Sequence, residues 1–89
     1  MGRYFDRAWL IYNRAETGVY ADLASTRKRG GSTSWHGTLI GPVNWAKFLQ
    51  SREELELRCL AGAIGKLYVS GHQASADRAE VTGIGAPPF

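Results

Sequence analysis

Arg27, Lys28 and Arg29 follow one another directly, and a row of cations is a ready partner for phosphate. With outward tyrosines such as Tyr20 and Tyr68 offering rings to bases, the row predicts a nucleic-acid-binding surface of modest, salt-sensitive affinity. A second set, Trp35, Lys66 and Tyr68, combines a stacking platform with a cation and a phenol, which would suit a small-molecule pocket. If several copies shared that pocket, it would be the pore of an oligomeric enzyme. A third set is apolar: Trp9, Ile11 and Phe89 are placed to meet a second copy of the chain. For Arg27-Lys28-Arg29 the simpler reading is a solvated loop.

Catalytic and metal chemistry find less to work with. His36 and His72 are the only imidazoles, on separate elements and beside no carboxylate or thiol in the sequence, so no metal is expected. Cys59 is the single cysteine, which excludes an internal disulfide and falls short of a four-ligand zinc site. It also alternates in phase with Leu55 and Leu57, where a thiol is packing. The chain lacks a G-x-S-x-G nucleophile signature. Glu53-Glu54 fall in a loop, and Glu56 faces water. Gly83-Ile84-Gly85 has no helix after it to receive phosphate and reads as a structural bend. No catalytic residue and no cofactor are expected.

The elements that must position these groups are extended. Period-two alternation recurs in Val19-Tyr20-Ala21-Asp22-Leu23, in Leu55-Glu56-Leu57-Arg58-Cys59, in Lys66-Leu67-Tyr68-Val69-Ser70 and in Arg78-Ala79-Glu80-Val81-Thr82. Each such strand has one wet face. Trp35 is in phase with Gly37 and Leu39, so its indole points inward, and Gly37 leaves space beside it for a close backbone or a sharp bend of the barrel. The first strand, Ala8-Trp9-Leu10-Ile11-Tyr12, is apolar on both faces and needs a second cover, from Tyr4 and Phe5 or from another copy.

Turn chemistry divides the strands. Asn13 to Gly18 has the composition of a hairpin loop, Gly30-Gly31-Ser32 ends the basic loop, and Gly41-Pro42 stops the Trp35 strand. Asn44 then caps the one short helix, about residues 44–50, with Trp45, Phe48 and Leu49 on one face. His72 to Asp77 is a polar loop before the last strand. Pro87-Pro88 is stiff and extended, leaving Phe89 to pack across the barrel or into a neighbouring subunit, a burial of roughly 1.5 to 3 kcal/mol. Six strands and one helix predict an all-β fold, a small antiparallel six-stranded barrel with the helix over one open end.

Size and charge agree. At 89 residues, one domain spanning 1–89 is expected, with a modest core that assembly would reinforce. The hydrophobic share of 44% and charged share of 21% are those of a folded globule. Residues 1–34 carry six basic and three acidic side chains, and residues 35–89 five of each, so the net charge of +3 equals the Arg27-Lys28-Arg29 cluster. One unpaired cysteine, no bilayer-length apolar run and no signal-type segment predict a soluble, unprocessed cytoplasmic protein without membrane contact.

Trp35-His36-Gly37-Thr38-Leu39, the short helix, Leu55-Glu56-Leu57-Arg58, Gly65-Lys66-Leu67 and the closing Val81-Thr82-Gly83-Ile84-Gly85-Ala86-Pro87-Pro88-Phe89 occur in an order that resembles an actinobacterial small all-β domain of unknown function. That family occurs free-standing or appended to flavin-dependent monooxygenase-like proteins. The resemblance implies an all-β domain and assigns no catalytic residue; the stretch before Arg78 departs from it in lacking an aromatic-glycine pair. Arg27-Lys28-Arg29-Gly30-Gly31 followed by Trp35-His36-Gly37 and Gly41 is also similar to the plasmid-type dihydrofolate reductases, tetrameric pore enzymes. Their Val-Gln-Ile-Tyr segment is missing here.

The leading expectation is therefore a non-catalytic, homodimeric binding or accessory module of unknown function that works through protein contacts. Nucleic-acid binding and a pocket or pore enzyme are the rivals.

Overall fold

Asn13 and Arg14 both adopt positive φ, 52° and 68°, the backbone of a two-residue turn that matches the twist of antiparallel strands. The turn joins β1 (Gly2–Tyr12) to β2 (Ala15–Arg27) in one long hairpin. Both strands outrun their sequence patterns, and the loop expected from Asn13 to Gly18 shrinks to its first two residues. Glu16 and Gly18 are polar or small because they face outward, a requirement of a barrel wall as much as of a loop.

The computed structural model describes residues 2–27, 30–72 and 77–89. Its remaining elements are β3 (Thr33–Ile40), α1 (Trp45–Ser51), β4 (Leu55–Cys59), β5 (Ile64–His72) and β6 (Arg78–Ile84). The strands close in the order β1-β2-β3-β6-β5-β4, every neighbour antiparallel, and β4 pairs back onto β1 through Ala8 with Cys59 and Leu10 with Leu57. The expected all-β barrel of six strands with one short helix is the fold observed.

Alternation fills the inside. Val19, Ala21 and Leu23 from β2, Leu55, Leu57 and Cys59 from β4, Leu67 and Val69 from β5, and Ala79 and Val81 from β6 are all buried. Among the described residues, no polar or charged side chain is buried with them. Among the described residues the interior is a packed core.

Both mouths are closed by aromatic side chains. At one, α1 opens on Asn44, whose side chain accepts from the Lys47 N–H at 3.3 Å, and ends on Arg52 in the left-handed region. This short helix drops Trp45 and Phe48 into the barrel, where Phe48 meets Tyr12 edge-on at 4.9 Å. The Trp45 indole N–H donates to the Gly41 carbonyl at 3.2 Å. Gly41 in turn donates to the Asp77 carbonyl at 2.8 Å, tying the end of β3 to the chain just before β6.

At the other mouth, Trp35 is 1% exposed, and Phe89 packs against it at 6.1 Å and against Tyr4 at 5.9 Å. The close backbone expected at Gly37 is present, and the glycine directly under the indole is a second one, on another strand. Gly37 faces the main chain of β2 at Asp22 and Leu23, whereas Gly83 on β6 lies directly under the ring. The pairing of His36 with Thr82 and Gly37 with Val81 brings Gly83 alongside Trp35, a long-range register that a strand read alone does not contain.

Tyr4 donates its hydroxyl to the Arg7 carbonyl and accepts from the Leu60 N–H at 3.1 Å. Burial pushes its phenol above the ordinary 10.0. Burial likewise pushes the Cys59 thiol above 9.0, offset only in part by a hydrogen bond with Tyr4. Protons held more tightly in the folded than in the unfolded chain contribute full stability below the unfolded value and lose it as pH rises beyond it. The urea midpoint should therefore fall as pH rises past 9.0, and less steeply in Cys59→Ala. The same burial predicts that Cys59 reacts with a disulfide reagent only after denaturant is added.

Candidate functional site

With the interior filled and both mouths closed, what the barrel offers is its wall. The outer face of β1 presents Arg3, Phe5, Arg7, Trp9 and Ile11, which stand opposite Ala24, Asp22, Tyr20, Gly18 and Glu16 of β2. Tyr20 is in turn opposite Ile40 of β3. Gly18 carries no side chain, and a Cβ placed there would touch nothing within 4 Å. The missing side chain leaves a hollow beside Trp9.

That hollow is the floor of a cleft of about 460 Å³ lined by Trp9, Tyr20, Ile40 and Pro42, with Arg7 and Asp77 among its lining residues. Phe5, on the same face, is 73% exposed, Tyr20 51% and Ile40 38%, an apolar concentration that a monomer would leave in water. Two further hollows lie on the β3-β6-β5 wall and are more polar, lined by Thr38, Ser70, His72, Arg78, Glu80 and Thr82 among others.

Cations frame the aromatic rings. Arg58 of β4 lies over the Trp9 indole at 5.3 Å and reaches past it to Glu16 on β2, with a nitrogen to oxygen distance of 2.5 Å. Arg58 thereby supplies part of the second cover that the doubly apolar strand needs, a role expected of Tyr4 and Phe5 or of another copy. Tyr4 turns to the mouth and Phe5 stays in solvent. Arg7 sits over the Tyr20 ring at 5.9 Å. Among the described residues, neither Arg7 nor Asp77 has an ion-pair partner.

The structure separates several residues that the sequence groups together. Tyr20 on β2 and Tyr68 on β5 are three strands apart in a six-strand ring, so they occupy opposite sides of the barrel. Arg27 is exposed at the far end of β2, and Lys28 and Arg29 lie outside the described residues. One strand of nucleic acid following a straight path would not meet both tyrosines and Arg27. Trp35, Lys66 and Tyr68 do not form a pocket either, because Trp35 is inside while Lys66 and Tyr68 alternate outward between buried Gly65, Leu67 and Val69. Of the contact set, Trp9 and Ile11 are neighbours on the wall, and Phe89 is turned into the mouth of its own barrel.

His36 is exposed on β3, and His72 meets the Arg78 carbonyl through Nδ1 at 3.1 Å. No group of three or more His, Cys, Asp or Glu side chains is poised to hold a metal among the described residues. Beside Tyr12, the carboxylate of Glu53 raises the phenol above its ordinary range, at the helix end of the barrel and away from the cleft.

Arg7, Gly18, Ile40, Pro42 and Asp77 were not singled out by sequence reasoning. Gly18 was the available signal: a glycine within a strand marks missing side-chain volume, once residues 15–18 are read as strand. No protein-family model matches the chain, and neither a curated protein nor a solved structure matches it.

Proposed function

We propose that the protein is a self-associating binding module, a homodimer whose contact is the outer wall of β1, β2 and β3. The observation that carries this reading is the gathering of Phe5, Trp9, Ile11, Tyr20 and Ile40 on one side of a barrel whose interior is already full. A two-fold contact presents the same patch twice, so an apolar wall meets its own kind, and Arg7 of one copy can face Asp77 of the other. A stable contact buries roughly 800 Å² per partner. One broad side of a molecule measuring 37 × 24 × 21 Å supplies an area of that order. The unpaired Cys59 fits a reducing compartment such as the cytoplasm.

Sedimentation equilibrium at tens of micromolar tests the reading, with a dimer expected. Truncating an aromatic hot spot costs about 2 kcal/mol or more, and a symmetric contact loses it twice, so Trp9→Ala should raise the dissociation constant on the order of a thousandfold. Its circular dichroism should stay that of a β-barrel. A wild-type protein that remains monomeric throughout would remove the proposal.

A further inference from the structure

Residues 85–89 are held at the Trp35 mouth in an unusual way. They make no main-chain hydrogen bond among the described residues. Pro87 and Pro88 have no N–H to give, and the segment leaves β6 through Gly85, whose φ of +76° has open space around it. What anchors it is packing: Pro88 fully buried, and Phe89 half-buried against Trp35 and Tyr4. Contacts of this kind are released one segment at a time, without opening the sheet.

Beneath the segment lies an unmet polar group. Trp35 Nε1 is fully buried and has no hydrogen-bond partner. Most buried donors have one, and an exception calls for a physical reason. The indole edge carrying Cε2, Nε1 and Cζ2 runs over Gly83 and against Gly65, and Pro88 is seated at Gly65 as well. Two side-chain-free positions, one orphaned donor and one apolar plug thus converge on the same end of the barrel.

We infer that Pro88 and Phe89 are a displaceable plug over a binding site for a fused two-ring aromatic molecule bearing a hydrogen-bond acceptor on its edge. The ligand would take the place of the six-membered ring of Phe89 and the five-membered ring of Pro88. Its acceptor would receive the Trp35 Nε1–H. Apolar shape alone would give affinity, and the acceptor would give selectivity, because only a ligand that carries one satisfies the buried donor. The site is independent of the β1-β2-β3 wall.

Isoquinoline and naphthalene form a matched pair for the test, nearly identical in outline, with one acceptor nitrogen between them. Each is titrated into the wild-type chain above the pH at which isoquinoline is protonated, while the indole N–H resonances of the three tryptophans are followed by NMR. Isoquinoline should bind about tenfold more tightly than naphthalene and move the Trp35 indole proton downfield. Trp35→Phe, which keeps a ring and removes the donor, should abolish the preference and leave isoquinoline the weaker ligand, its nitrogen now buried without a partner. Phe89→Ala should strengthen both, since less of the population is closed against them. Equal affinities in the wild-type chain, no binding of either ring, or shifts confined to Trp9 and Trp45 would overturn the inference, and the wild-type titration decides it even if a variant does not fold.

Discussion

Gly37→Ala should destabilise the chain by about 3 kcal/mol or more, a large share of its stability. Gly37 is paired with Leu23, and a Cβ built on it would fall among the Asp22 carbonyl, the Asp22 carbonyl carbon and the Leu23 Cα, all of them main chain. A side chain in the way can change rotamer, but a strand held by its ladder can retreat only by giving up that ladder. Ordinary overpacking costs about 1 to 3 kcal/mol, and a collision with backbone lies at or beyond the top of that range. Domains have about 0.05 to 0.15 kcal/mol of stability per residue, which puts this one near 4 to 13 kcal/mol in all. Urea denaturation followed by circular dichroism checks the effect, and Gly18→Ala is the control. That Cβ meets open space, so the control should change stability by less than about 1 kcal/mol. If Gly37→Ala unfolds at the wild-type urea midpoint, the close approach of β2 and β3 is wrong.

Trp35→Ala should cost about 3 to 5 kcal/mol, the usual loss for a buried large aromatic. The cavity cannot easily collapse, because the floor under the indole is Gly83 and the wall beside it is Gly65, neither of which has a side chain to swing in. Phe89 loses its edge-on partner at the same time. Trp35→Phe retains part of the ring and should lose distinctly less. The measurement is again the urea midpoint, with a second readout in the tyrosine environment of Tyr4 at the same mouth. An alanine variant as stable as the parent would mean that the barrel end is not sealed by this indole.

The strands were legible wherever a wet face alternates with an apolar one. Leu55, Leu57 and Cys59 read correctly because Glu56 and Arg58 between them have only one acceptable direction. Asn44 read correctly as a cap because its side chain serves a donor within its own first turn. What depended on distant partners was not legible. Gly37 and Gly83 look alike along the chain, and only the pairing of β3 with β6 says which one carries the indole. Tyr20 and Tyr68 were rightly read as outward, but direction within a strand does not tell which side of a closed ring the strand occupies. The cleft was missed for the same reason, since Arg7, Gly18, Ile40 and Asp77 come from separate parts of the sequence.

Barrel closure by β4 on β1 also bears on how the molecule is born. The two-residue turn at Asn13 and Arg14 lets the first hairpin zip up locally, within microseconds for such units. The seam between Ala8 and Cys59 must wait until β4 has been made and brought back, against the entropy of closing a long loop. Until that moment β1 exposes an unpaired border bearing Trp9 and Ile11. Partly folded chains are thus most vulnerable to joining one another through this strand.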